Sequence, residues 1–201
     1  MNKKIITITN NILTIKTDEN IELKKLPNPL EFIYKGTLKP EPIEDYPSRY
    51  DNFIKGLNER SNRELAGCFK KENYTIDNLL NNKLFCEFKL ENSEPLTGVY
   101  LWVVDDEIRY VGIAKNLKER FDEYGHIYHT NVFKNGRSTN CKMNMNARIW
   151  KDNKIDIYFY DTGKLENNKN SRSKTVRKRL EKYLINYLID VGGCKLENNQ
   201  K

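Results

Sequence analysis

The spacing of apolar residues changes several times along the chain. ITITNNILTI, residues 6–15, alternates apolar and polar positions around Asn10–Asn11, which predicts a β-hairpin. Residues 27–47 hold five of the six prolines, and this stretch is expected to be irregular. Three short helices are predicted next. Ser48 has Asp51 three residues on, Ser61 has Glu64 in a capping-box pattern, and Thr75 opens TIDNLLNNKLF.

Beyond residue 95 the order reads strand, turn, strand, helix, polar insert, strand, basic loop, helix. The strands are Val99–Val104, Ile108–Ala114 and Ile155–Tyr160. A helix begins at Asn116, with Glu119 three residues later, and ends near Gly125. The insert runs from His126 to about Trp150, and a last helix covers about Thr175–Val191 before Gly192–Gly193.

Folding 98–112 about Asp105–Glu107 sets Tyr100 opposite Tyr110 and Gly98 opposite Gly112. Strand alternation then puts Val99, Leu101, Val103, Val111 and Ile113 on a core face. Gly98, Tyr100, Trp102, Ile108, Tyr110 and Gly112 share the other. Two readings of that second face stand at this point. It is a tyrosine pair that steadies the sheet, or it is a site whose glycines let a ligand approach.

The next helix carries Leu117, Arg120, Phe121 and Tyr124 on one stripe, and Arg120 is its only charge. Desolvating an unpaired guanidinium is costly, so Arg120 pairs with a structural carboxylate or awaits a phosphate. On the last helix, Val176, Leu180, Tyr183, Leu184, Tyr187 and Leu188 form the apolar stripe, with Glu181 at its edge. Residues 164–182 hold eight Lys and Arg against two Glu. Glu181 is a salt-bridge partner in that setting, or it holds a divalent cation, which prefers oxygen ligands.

Composition changes this picture in one respect. Hydrophobic residues make up 38% of the 201 and charged residues 31%, enough for a core and a well-solvated surface. Residues 1–95 carry 15 basic and 15 acidic side chains, so the net charge of +7 belongs wholly to residues 96–201. A basic excess confined to one half suggests a polyanionic partner. The same excess on a solvated surface would need no partner. Together with the loss of prolines after Pro95, it puts a boundary near residue 95. That gives an accessory region 1–95, a domain 96–192 with the insert 126–150, and a loose tail 193–201. None of the four cysteines forms a C-x-x-C pair, so free thiols rather than a zinc site are expected. No transmembrane-length run or signal-peptide core is seen, so the expected location is cytoplasmic, with no membrane partner.

GVY at 98–100, YVG at 110–112, Arg120 eight residues beyond Gly112 and the late helical Glu181 together resemble the GIY-YIG nuclease family. Residues 96–190 carry the resemblance, and the appended N-terminal segment and polar insert are similar to those of its type II restriction endonucleases. The resemblance implies an α+β fold with a small, mainly antiparallel three-stranded sheet flanked by helices, here with an N-terminal hairpin and helical extension. It implies a metal-dependent endonuclease acting on double-stranded DNA. Tyr100 would be the general base or position the attacking water, Tyr110 would assist, Arg120 would bind the scissile phosphate, and Glu181 would hold one Mg²⁺ or another divalent cation such as Mn²⁺. Lys115 or the metal would favour the Tyr100 phenolate. Tyr124 stands where the family often has a histidine and can hydrogen-bond phosphate or water.

In the insert, Arg137, Lys142 and Arg148 can contact phosphates, and near Glu181 so can Lys174, Arg177 and Arg179. Cutting a palindrome would require a homodimer. Two other readings remain, a structure-specific repair or mobile-element nuclease and a DNA-binding module without catalysis. His126 and His129 are spaced H-x-x-H but lack a third ligand in sequence, and read as ordinary polar residues.

Overall fold

The computed structural model describes residues 5–17, 29–71, 73–81, 83–90, 92–134, 136, 138–163 and 173–198. The fold is α+β, but among the described residues its main sheet has six strands rather than three, in the order β1-β2-β3-β8-β6-β7. Both hairpins turn as short polar pairs dictate. Asn10 and Asn11 (φ 50° and 64°) join β1 (Ile6–Thr9) to β2 (Ile12–Ile15). Asp105 and Asp106 (φ 47° and 65°) join β6 (Gly98–Val104) to β7 (Glu107–Ala114). Two successive left-handed residues match the twist of the flanking strands, and Asn and Asp tolerate that backbone.

The expected irregular stretch contains a nine-residue strand, β3 (Leu30–Leu38), antiparallel to β2. The prolines stand on either side of it. Between them LEFIYKGTL alternates, with Leu30 and Phe32 buried and Glu31 and Ile33 exposed. β3 neighbours β8 (Ile155–Asp161), so the N-terminal hairpin extends the sheet that β6, β7 and β8 build.

Contacts therefore divide the chain otherwise than at residue 95. One unit comprises residues 1–37, 90–118 and 154–201, and the other 38–89 and 119–153. The first unit's core joins Leu13, Phe32, Val99, Leu101 and Val111 to Leu180, Leu184 and Leu188 of α6 (Ser173–Asp190). That helix ends at Asp190, and Gly193 just beyond it has a φ of 65°. The described part of the tail, residues 193–198, is not loose. Glu197 donates its backbone N–H to the Arg109 carbonyl at 2.6 Å and accepts Arg109 Nη2 at 3.2 Å. Asn198 Oδ1 accepts the Val111 N–H at 2.9 Å, and its Nδ2 donates to the Val111 carbonyl at 2.7 Å. The tail thereby covers part of the open edge of β7, a device that blocks edge pairing.

The second unit holds α1 (Pro47–Asn58), α2 (Gly67–Lys71), α3 (Ile76–Asn81), the short pair β4 (Glu41–Pro42) and β5 (Cys86–Glu87), and most of α4 (Leu117–Gly125). The polar insert is not a loop. It contains α5 (Ser138–Ile149), whose Cys141, Met143, Met145 and Ala147 are buried. Its Asn144 is buried too, donating to the carbonyls of Cys86 (2.6 Å) and Tyr124 (2.7 Å) and accepting the Cys86 N–H (2.8 Å). Of the three helix-start signals, Thr75 caps α3 by exchanging bonds with Asn78, whereas Ser61–Glu64 starts no helix.

Candidate functional site

The hairpin pairs two residues out of the expected register. Tyr100 stands opposite Gly112, Trp102 opposite Tyr110, and Gly98 opposite Ala114. The expected pairing centres on Asp105, whereas the two-residue turn Asp105–Asp106 pairs Val104 with Glu107, one residue further on, and an irregularity between Trp102 and Val103 inserts the second extra residue in β7. The same irregularity moves Ile108 to the core face, beside Val103.

The pairing explains the glycine. A Cβ built on Gly112 would overlap Cζ and Oη of Tyr100, so the tyrosine ring occupies the space that a side chain would need. Tyr100 and Tyr110 lie with ring centroids 6.3 Å apart, and Trp102 meets Tyr110 at 6.5 Å. Tyr100 and Trp102 are 0% exposed. Gly98 has a different reason. Its missing Cβ would strike the Tyr160 carbonyl and the Phe159 ring on β8.

Glu181 lies half-buried on α6. That helix packs through Leu180, Leu184 and Leu188 on the face of Val99, Leu101 and Val111, opposite to Tyr100. Lys115, just past β7, is exposed, and the Thr97 hydroxyl donates to its carbonyl at 2.6 Å. Arg109 is engaged with Glu197, as its outward position suggests.

Arg120 and Tyr124 belong to the other unit. Of the two fates open to Arg120, the structural carboxylate is the one observed. Nη1 lies 3.1 Å from Glu123 Oε2 and 2.8 Å from Asn140 Oδ1, and the guanidinium carbon sits 4.3 Å from the Tyr124 ring centre. Asn140 comes from α5, so the insert supplies part of this setting. Tyr124 is fully buried beneath the cation. The Arg120 side chain keeps 25% of its surface, leaving one side open to solvent.

The proposed phosphate contacts divide. Arg177 is buried, which argues against a backbone contact, while Arg179 is exposed. Arg148 is largely covered and lies 3.9 Å from Glu44, and Lys142 is half-buried. Lys174 lies within α6, but its side chain and the whole of Arg137 fall outside the described residues.

Lys134 is held by Glu64, at 2.8 Å, and Lys70 pairs with the same carboxylate. Hydrogen bonds from Lys134 and then Lys70 pull the Glu64 carboxyl down to about 2. The pairing stabilises the fold fully above the unfolded value of about 4.3, and that contribution disappears as pH falls through the folded value. A side-chain carbon NMR titration should give Glu64 a midpoint near 2. A midpoint near the ordinary glutamate value would remove the network. The pair is exposed, so added salt should raise the midpoint.

Among the described residues, no group of three or more His, Cys, Asp or Glu side chains could hold a metal ion, and no helix is long and apolar enough to cross a membrane. Burial pushes the Cys86 and Cys141 thiols up, and neither is in a disulfide. Sequence spacing did not single out a cleft of about 650 Å³ between α1 and residues 126–129, with Lys55 and Tyr128 on its walls. Its only signal was the helical repeat of Arg49, Asn52, Lys55 and Glu59. No protein-family model matches the chain, and neither a curated protein nor a solved structure matches it.

Proposed function

We propose that the chain is a metal-dependent DNA endonuclease of the GIY-YIG type, hydrolysing phosphodiester bonds in double-stranded DNA at a specific sequence. The observation that carries this reading is the fit of the Tyr100 ring over Gly112, which joins the two halves of GVY/YVG physically. The motif strands lie side by side, with β6 flanked by β7 and β8, and the arginine helix follows directly.

In this reading Tyr100 positions the attacking water and Tyr110 orients Tyr100 across the strand pair. Arg120 exchanges Glu123 and Asn140 for a phosphate, to which its planar fork is matched. Charge building on the phosphoryl oxygens then meets a cation already fixed on Tyr124. Glu181 would hold the metal. One half-buried carboxylate fits Mg²⁺, which keeps most of its waters and needs few protein ligands. The ion would supply Lewis acidity and a more acidic bound water.

A second reading, a DNA-binding module without catalysis, is favoured by a specific observation. Tyr100 is fully buried, and α6 packs on the opposite face of the sheet. Digestion of a plasmid library with Mg²⁺, followed by sequencing of the ends, separates the two. Nuclease function predicts discrete ends sharing one sequence, with activity falling at least ~100-fold in Glu181→Ala and Tyr100→Phe, as for loss of a group that acts on the reacting atoms. Uncut DNA, or cutting that persists in Glu181→Ala, overturns it. Cutting confined to branched DNA moves the assignment to a structure-specific nuclease. Sedimentation on a palindromic site would report a homodimer.

A further inference from the structure

The cleft between α1 and residues 126–129 lies wholly within the second unit, which contains neither Tyr100 nor Glu181. Ser48, Asn52 and Lys55 line one wall at helical spacing, and none of their side chains has a partner among the described residues. Arg49 and Arg60 add two guanidiniums. Arg60 is held by the Gly56 carbonyl at 3.3 Å, and Arg49 pairs with Glu87. Glu59 is the lone carboxylate of the lining.

Across from them stands Tyr128. Its side chain is 65% exposed, which is unusual for a ring with nothing to stack on. Its backbone is fixed, because the Tyr128 N–H donates to Asn131 Oδ1 at 2.9 Å and its carbonyl accepts the Asn131 N–H at 2.9 Å. His129 packs on Gly56, where a Cβ would overlap the imidazole, and its buried Nε2 has no hydrogen-bond partner among the described residues. Burial, and after it the Arg60 charge, hold this imidazole below its ordinary value.

A free cation, a free amide and an exposed, anchored aromatic ring suit one chemistry. A phosphate on Lys55 uses the charge, a base edge uses the Asn52 amide, and the base plane uses the ring. A paired base in a duplex has both faces covered by its neighbours and cannot lie on Tyr128. A volume of about 650 Å³ is ample for one nucleotide.

We infer that this cleft holds one unpaired nucleotide of the DNA substrate, with its base on Tyr128 and its phosphate on Lys55. The inference rests on the chain binding DNA, and it names a feature of that substrate. An unpaired nucleotide is either extruded from the duplex or already present at a bulge.

Fluorescence anisotropy in EDTA, with no cleavage, tests it on three labelled oligonucleotides: a duplex, the same duplex with one bulged nucleotide, and a single strand. The bulged duplex should bind ~10-fold tighter than the perfect one, as stacking of one base allows. Tyr128→Ala should abolish that preference and Tyr128→Phe should keep it. Lys55→Gln should weaken binding to every DNA and lower the salt slope by about one. Both side chains are exposed, so the variants should unfold at the wild-type urea midpoint. Equal affinity for bulged and perfect duplexes, or an intact preference in Tyr128→Ala, overturns the inference. If the protein cuts DNA with Mg²⁺ but shows no such preference, the cleft assignment fails and the nuclease stands. If it prefers the bulge but cuts nothing, the nuclease fails and the cleft stands. No binding to any DNA overturns both.

Discussion

Asn144→Leu is expected to lower the stability of the fold by roughly 3 kcal/mol or more, since it leaves three buried polar groups unpaired at about 1–3 kcal/mol each. Asn144 is 0% exposed and serves the Cys86 N–H, the Cys86 carbonyl and the Tyr124 carbonyl. β5 pairs with β4 through only two residues, one of them Pro42, which has no N–H. The Asn144 amide acts as a substitute strand on the other edge of Cys86. Leucine is close in volume, so the loss is chiefly of hydrogen bonds, with little cavity. Against a total of about 5–15 kcal/mol for a domain, the effect is large. Urea unfolding should show a lower midpoint. Cys86 provides a local readout, because its buried thiol, pushed well up by desolvation, should react with a thiol reagent faster in the variant. An unfolding free energy within about 0.5 kcal/mol of wild type would remove Asn144 as the anchor of this unit.

Gly112→Ala is expected to cost about 1–3 kcal/mol, the range for overpacking a filled core. In a strand interior the same change would ordinarily help by about 0.5–1 kcal/mol, through reduced chain entropy. The sign reverses here because the new Cβ would overlap the Tyr100 ring, which is 0% exposed and has no open side to retreat to. Tyr100→Phe leaves Cζ in place and should not relieve the clash. Tyr100→Ala should relieve it, so a double-mutant cycle with Gly112→Ala should couple by at least about 1 kcal/mol. Additive losses would mean that the ring does not depend on the glycine. Under the nuclease proposal, Gly112→Ala also loses activity at temperatures where it remains folded.

Local chemistry made several elements readable in the chain. Asn10–Asn11 and the acidic stretch Asp105–Glu107 announced two hairpins, and the consecutive positive φ values found at Asn10–Asn11 and Asp105–Asp106 are ones that few residues tolerate. Alternation outlined β6, β7 and β8 to within a residue or so, and the double glycine ended α6. The motif residues therefore fell on the expected elements. Flanking prolines mask the alternating nonapeptide of β3, and asparagines conceal the buried Cys–Met–Ala face of α5. The observed register differs by two, one residue because the turn centres between Asp105 and Asp106 and one because an irregularity in a strand is a matter of packing and leaves no mark in the alternation beyond it.

Local pattern in the chain specifies the strands β1, β2, β6, β7 and β8 and the two hairpin turns, because each depends on neighbours within a few residues, and it places two tyrosines, an arginine and a glutamate in a telling order. Tertiary structure alone decided what those residues touch. It set Tyr100 into the space above Gly112, gave Arg120 to Glu123 and Asn140, and packed α6 on the sheet face away from Tyr100. It also used two asparagine side chains, Asn144 and Asn198, as strand partners for Cys86 and Val111. The physical reason is common to all of these. A buried donor, acceptor or charge must be met, and the group that meets it comes from 58 residues away at Cys86 and 87 at Val111, where no local pattern can announce it.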